Sequence, residues 1–143
     1  MNAEESKIKT LHIFKELVIA ASADIVFQTI LEPHGPMKDM NMKLEPWPGG
    51  RWFRDLGNDT GHLWGHVQVI KPPKILELVG PTMMSYPVAS HIQYRLTEQA
   101  GGTLLKFTHQ AFGLIEPELE HNVSKGWGEM LEQMRAAAEK KAV

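Results

Sequence analysis

Two side chains capable of acid/base chemistry occur in the last two strand-like segments of the chain. Tyr94 and His109 each alternate with polar neighbours, which predicts that both face the interior together with Phe107. A histidine titrates near neutral pH and a phenol can donate a hydrogen bond, so the pair could move a proton or anchor a polar ligand. The alternative is a structural histidine that is hydrogen-bonded to the backbone or to the final helix.

Arg54 is a third candidate for a polar contact. It shares strand parity with Trp52 and Leu56. If this face is inward, the guanidinium requires a carboxylate or phosphate partner from the protein or from a ligand. A surface position is equally consistent with the sequence, because the segment after Gly50 is prone to a β-bulge that would shift the parity by one residue.

The histidine spacing gives no support for a metal site. His62 and His66 are four residues apart, which on a strand is about 13 Å, whereas one zinc ion requires both ring nitrogens within roughly 2.1 Å. The chain has no cysteine, no Gly-x-Ser-x-Gly motif and no phosphate-binding glycine loop. We therefore expect no metal and no cofactor, and any enzymatic activity would depend on acid/base chemistry.

The same parity argument divides the segment 62–70 into two faces. Leu63, Val67 and Val69 are predicted to face the core. Trp64 then falls on the solvent face with His62. There it could pack at an edge or contact a partner such as a second copy of the chain.

The composition indicates one domain without a nucleic-acid-binding surface. The chain has 143 residues, 43% of them apolar, and its 15 basic and 17 acidic residues give a net charge of −2 with no basic run. No apolar stretch approaches the roughly 20 residues of a membrane span, and residues 1–9 are polar where a signal peptide would be apolar. We expect a polar tail over 1–9, a single domain over 10–143 and a cytoplasmic location.

Alternating apolar patterns and turn residues predict a curved antiparallel sheet of seven strands, or about six to seven. The predicted strands span residues 11–19, 42–45, 51–56, 62–70, 75–79, 88–96 and 104–112. A short helix over 23–31 follows the first strand, a second short helical turn or a loop spans 34–40, and a long helix over 117–140 ends the chain. This order is typical of an α+β domain in which the sheet wraps around the last helix and encloses a cavity.

The predicted cavity lies between the sheet and the final helix, whose apolar residues recur at helical spacing. The residues that we expect to contact a ligand there are Trp52, Arg54, Tyr94, Phe107, His109, Trp127, Met130 and Met134. Methionine is flexible and lines irregular pockets well. Met83, Met84 and Tyr86 lie in a loop beside the expected cavity mouth and are predicted to form a lid.

Several short motifs follow one another in a characteristic order along nearly the whole chain. They are Ser22-Ala23-Asp24-Ile25-Val26-Phe27, Pro48-Gly49-Gly50-Arg51-Trp52, Gly65-His66-Val67 followed by Ile70-Lys71-Pro72-Pro73-Lys74-Ile75-Leu76, Gly102-Thr103 with Thr108-His109, and Gly126-Trp127 with Leu131. In this order they resemble the SRPBCC superfamily, also called START-like or birch-pollen-allergen-like. Within it, they are similar to the branch named after the activator of the heat-shock-protein-90 ATPase. The resemblance implies a helix-grip fold.

The resemblance implies several functions rather than one, because this superfamily includes lipid carriers, polyketide cyclases, aromatases and co-chaperone domains. The leading hypothesis is binding of a small hydrophobic or aromatic molecule in the cavity. The second is a cyclase-, aromatase- or hydrolase-like enzyme in which His109 or Tyr94 moves a proton. The third is a chaperone-interacting module of the stress response.

Overall fold

A computed structural model describes residues 7–33, 36–82 and 87–143 of the chain. In these residues an antiparallel seven-stranded sheet lies against a long C-terminal helix, which confirms the predicted α+β helix-grip fold. The strands are β1 (Lys9–Ile19), β2 (Met42–Leu44), β3 (Arg51–Gly57), β4 (Thr60–Lys71), β5 (Ile75–Gly80), β6 (Val88–Gln99) and β7 (Gly102–Gly113). The helices are α1 (Ala23–Leu31), α2 (Pro36–Asp39) and α3 (Leu119–Lys141).

The strand order across the sheet is β1-β7-β6-β5-β4-β3-β2. Strands β2 to β7 therefore follow one another as neighbouring antiparallel strands, while β1 pairs with the last of them. Because β1 and β2 lie at opposite edges, the chain between them has to cross the sheet. Helices α1 and α2 belong to this crossing, and α1 contacts β6, β7 and α3.

Helix α1 begins where the sequence predicts it to begin. Ser22 is its N-cap, and the Ser22 Oγ accepts a hydrogen bond from the backbone N–H of Ile25 at 3.3 Å. Val26 and Phe27 are buried on the face that meets the core. The helix ends before Pro33, which disfavours helical geometry in the residue that precedes it.

Helix α3 covers the inner face of the sheet through one apolar stripe. The buried residues of this stripe are Trp127, Leu131, Met134 and Ala138. They recur every three or four residues, so they share one face of the helix. The helix also contacts β1 and α1, and the core is enclosed between these elements.

The predicted position of Trp64 on the solvent face is wrong. Trp52 lies opposite Gly65 and Phe53 lies opposite Leu63, so Trp64 is an extra residue on β4 and forms a β-bulge. The bulge reverses the alternation of side chains. As a result Trp64 is only 5% exposed, whereas Leu63, predicted to face the core, is 51% exposed.

A second register shift corrects the prediction for Val69. Val67 is buried opposite the buried Leu78, as the sequence predicts, but the ladder skips Gln68 and places Val69 opposite Glu77. Side chains opposite each other on antiparallel strands point to the same face. Val69 therefore shares the outer face with Glu77, and Ile70 turns towards the core instead.

Candidate functional site

A mostly apolar cavity lies between the inner face of the sheet, α1 and α3. The residues that line it are Ile30, Glu32, Met42, Leu44, Trp52, Leu76, Leu78, Tyr94, Trp127, Met130, Leu131 and Met134. The centre of a water molecule can occupy about 40 Å³ of this cavity. All the unfilled space between the lining atoms, including the opening to solvent, amounts to about 510 Å³. The enclosed part has room for roughly three water molecules.

Five of the eight residues expected to contact a ligand line this cavity. They are Trp52, Tyr94, Trp127, Met130 and Met134. Phe107, His109 and Arg54 do not line it. The predicted lid residues Met83, Met84 and Tyr86 lie outside the described residues.

Phe107 lies behind the cavity lining. It is 0% exposed, and its ring centroid is 5.1 Å from that of Tyr94 and 4.5 Å from that of Trp127. Aromatic rings at these separations stabilise each other beyond the burial of their area. Phe107 therefore supports two rings that do line the cavity.

His109 is fully buried on β7, and both of its ring nitrogens have protein partners. Trp127 Nε1 donates a hydrogen bond to His109 Nδ1 at 2.9 Å, and His109 Nε2 is 3.0 Å from Ser90 Oγ. An indole N–H can only donate, so Nδ1 carries no proton and the proton of the neutral ring lies on Nε2. His109 Nε2–H consequently donates to the Ser90 hydroxyl.

The charge state of His109 follows from its burial. Burial lowers the pKa of His109 from 6.5 to about 4, because the interior disfavours the charged imidazolium. The ring is therefore neutral at pH 7. With both nitrogens bonded to Trp127 and Ser90, this histidine holds the cavity in shape and presents no free nitrogen to a ligand.

Tyr94 differs from His109 in having an unused polar group. It lies on β6 opposite Phe107 on one side and Leu76 on the other, and it is partly buried against the core. Its hydroxyl makes no hydrogen bond to any residue that the structure describes. Burial raises the pKa of the Tyr94 phenol well above its ordinary value of 10, so the hydroxyl stays protonated and can donate.

Arg54 lies beside the cavity but does not line it. It is half-buried opposite Met42, and its Nε donates a hydrogen bond to the backbone carbonyl of Met40 at 3.2 Å. Of this cross-strand pair, Met42 lines the cavity and Arg54 does not. The guanidinium thus fixes the chain before β2 at the edge of the sheet.

Glu32 is a lining residue that the sequence did not reveal. It directly follows α1, and its Oε2 is 2.7 Å from Lys141 Nζ at the end of α3. Lys141 also donates to Thr29 Oγ1 at 3.1 Å. These two elements are distant in sequence, so no local pattern could indicate their contact. Leu76 and Leu78, by contrast, follow the alternation of β5 and could have been predicted.

In the described ranges no group of three or more histidine, aspartate or glutamate side chains is arranged to hold a metal ion. None of the described helices is long and apolar enough to cross a membrane.

Solved structures with this fold come from several bacteria. A protein from Rhizobium leguminosarum aligns with a TM-score of 0.74 at 19% identity, over 94% of this chain and 97% of that chain. CalU16 from Micromonospora echinospora aligns with a TM-score of 0.62 at 19% identity, over 90% and 81% of the two chains. At these identities the likeness concerns the fold alone.

A third structure shares more sequence with the chain. It is the solution structure of an AHSA1-like protein from Rhizobium etli, with 26% identity, a TM-score of 0.62 and coverage of 92% of this chain and 83% of that chain. No functionally curated protein matches the chain significantly.

The family model for "Activator of Hsp90 ATPase homolog 1-like protein" matches residues 20–139. The match runs from the end of β1 to the last turns of α3 and so includes all the lining residues that the structure describes. It also confirms the resemblance inferred from the short motifs. The chain belongs to the family of Activator of Hsp90 ATPase homolog 1-like proteins.

Proposed function

We propose that the protein binds a small, largely apolar molecule in the cavity between the sheet and α3. The composition of the lining carries this proposal. Apart from Glu32, Tyr94 and the two tryptophans, the described lining residues are apolar, and the indole N–H of Trp127 is bonded to His109. A concave apolar site with few polar groups is the usual form of a small-molecule pocket.

The small enclosed volume limits the size of the ligand. The methionines in the lining determine how much larger a ligand can be accommodated. Met42 on β2 and Met130 and Met134 on α3 line opposite sides of the cavity. Methionine has three rotatable side-chain bonds and fits irregular surfaces. Changes of methionine rotamer can therefore widen the cavity without a movement of the backbone, and a ligand of one or two rings is the size that we expect.

A binding role is better supported than a catalytic one. The histidine that the sequence offers as an acid or base has both nitrogens engaged by Trp127 and Ser90. Its low pKa leaves it neutral across the physiological range. Tyr94 can donate a hydrogen bond, but its raised pKa keeps the hydroxyl protonated, so it is a weak acid and is not available as a base at neutral pH.

The test is a cavity-filling substitution with a matched surface control. Protein purified without detergent is examined by native mass spectrometry and then by thermal shift with short-chain lipids and with aromatic compounds of one or two rings. We expect a co-purified species or a saturable rise in melting temperature for the wild type. Leu44→Trp, which places an indole in the cavity, should abolish it, whereas Leu63→Trp on the exposed surface should retain it.

A protein without bound species and without any stabilising compound would contradict the proposal. That result would favour the family's named role in protein contact. The outer face of the sheet offers apolar side chains for such a contact, since Phe14, Val18 and Phe112 are 52%, 54% and 57% exposed. The three lie on the neighbouring strands β1 and β7.

A further inference from the structure

The Tyr94 hydroxyl is a polar group of the cavity lining that the proposed binding of an apolar molecule leaves unexplained. It belongs to a ring held edge-on to Phe107, with centroids 5.1 Å apart, and it has no hydrogen-bond partner among the described residues. A polar group at an apolar, partly buried site loses free energy when it is left without a partner. The natural partner is a group that the ligand supplies.

A phenol is protonated at neutral pH, and burial raises the pKa of Tyr94 further. Its oxygen can also accept a hydrogen bond, but a ligand that only donates would leave the O–H group without an acceptor. Because no described residue accepts from the Tyr94 hydroxyl, this donor favours a ligand that carries an acceptor oxygen. A pure hydrocarbon would fill the same space but would leave the donor unsatisfied.

The charges around the cavity exclude an anionic ligand. Among the described lining residues Glu32 is the charged one, and its carboxylate is already 2.7 Å from Lys141 Nζ. No lysine or arginine in the described part of the chain lines the cavity. A bound carboxylate would therefore lose its hydration without gaining a cation, and it would meet a like charge at Glu32.

We propose that the cavity selects neutral molecules with a carbonyl-type oxygen, such as ketones, which accept a hydrogen bond from Tyr94 while their apolar parts contact Trp127 and the methionines. This inference rests on the proposed function and adds the chemical class of the ligand. It separates this cavity from a carrier of free fatty acids. It also makes Tyr94 the residue that determines specificity.

Three six-membered-ring probes of similar size test this selection. Cyclohexanone has an acceptor oxygen, methylenecyclohexane has nearly the same shape without it, and cyclohexanecarboxylate is charged. Binding is followed through the indole N–H signal of Trp127 in nitrogen-proton correlation spectra, because this group lies at the cavity and is bonded to His109. Each probe is titrated into the wild type and into Tyr94→Phe, which keeps the ring that packs on Phe107.

We expect cyclohexanone to bind roughly fivefold more tightly than methylenecyclohexane to the wild type, which is the effect of one net hydrogen bond. Tyr94→Phe should remove this preference, and the carboxylate should bind worst to both proteins. Equal binding of the two neutral rings, a preference that survives in Tyr94→Phe, or tightest binding of the carboxylate would each overturn the inference while leaving the proposed function standing. If no probe moves the Trp127 signal in either protein, the binding proposal itself fails.

Discussion

His109 fixes the position of Trp127 through a single arrangement of protons. The indole N–H donates to Nδ1, and the ring returns its own proton to Ser90 through Nε2. A second proton on Nδ1 would remove the acceptor that Trp127 requires. The cavity lining contributed by Trp127 therefore depends on a neutral His109, and acidification should loosen both together.

The pH dependence of stability follows from this burial. Between pH 6.5 and about 4 the unfolded chain binds a proton at His109 that the folded chain does not bind, so the free energy of unfolding falls as the pH falls. The contribution is fully present above pH 6.5. From pH 7 to pH 5 we expect a loss of about 2 kcal/mol from this residue, measured by urea unfolding at the two pH values.

Glutamine provides the test variant for this prediction, because its amide has both an acceptor and a donor for Trp127 and Ser90 but does not titrate. His109→Gln should have a lower free energy of unfolding than the wild type at pH 7. Between pH 7 and pH 5 its free energy of unfolding should fall by about 2 kcal/mol less than that of the wild type. His121→Gln, at an exposed histidine of α3, should behave as the wild type does. Equal pH dependence in all three proteins would contradict the assignment.

Strand alternation was enough to predict that Tyr94, Phe107 and His109 face inward. It could not identify their partners, since the bond between His109 and Trp127 depends on how α3 lies across β7. The same limit applies to Glu32, whose contact with Lys141 joins residues 109 positions apart.

Among the elements, β4 shows where periodicity fails. The helix over 23–31 and the seven strands were predictable to within a few residues, because caps, turns and alternation all act locally. The bulge at Trp64 depends on a contact with another strand and not on the neighbouring residues of β4. It is stabilised by packing against Trp52, whose ring centroid is 5.4 Å away, and a sequence alone does not reveal which residue of a strand will be skipped.

Because of the bulge, we expect truncation of two tryptophans to lower the free energy of unfolding by different amounts. Trp64→Ala removes a side chain that is 5% exposed and should lower the free energy of unfolding by about 3–5 kcal/mol. Trp47→Ala removes one that is 54% exposed and should change it by less than about 0.5 kcal/mol. Denaturant unfolding of both variants gives the comparison. Similar costs for the two would mean that Trp64 faces solvent, as the strand parity had predicted.

In the whole molecule, the C-terminal end and the middle of α3 meet the rest of the fold differently. Near its C-terminus the fully buried Ala138 allows a close approach, and Glu139 accepts a hydrogen bond from the backbone N–H of Ala20 at 2.8 Å. Further towards its N-terminus the larger Trp127 and Met130 hold the cavity open. The helix thus closes one end of the core and leaves space in the middle.

A larger side chain at the closely packed C-terminal end of α3 should destabilise the fold. Ala138→Leu adds three carbon atoms to a position that is 0% exposed and should lower the free energy of unfolding by about 1–3 kcal/mol. Ala136→Leu makes the same change two residues away on the exposed side of the helix and should be nearly neutral. Thermal unfolding of both variants measures the difference. A neutral Ala138→Leu would show that this end of α3 is loosely packed.

The edge-on pair of Trp52 and Trp64 also has an optical consequence. Two identical chromophores at 5.4 Å and an interplanar angle of 68° couple their electronic transitions, and a fixed twist between them produces paired circular-dichroism bands of opposite sign. Only the bulged register brings these two rings together. The domain therefore contains an intrinsic spectroscopic marker for β4, which can be followed during refolding without a label.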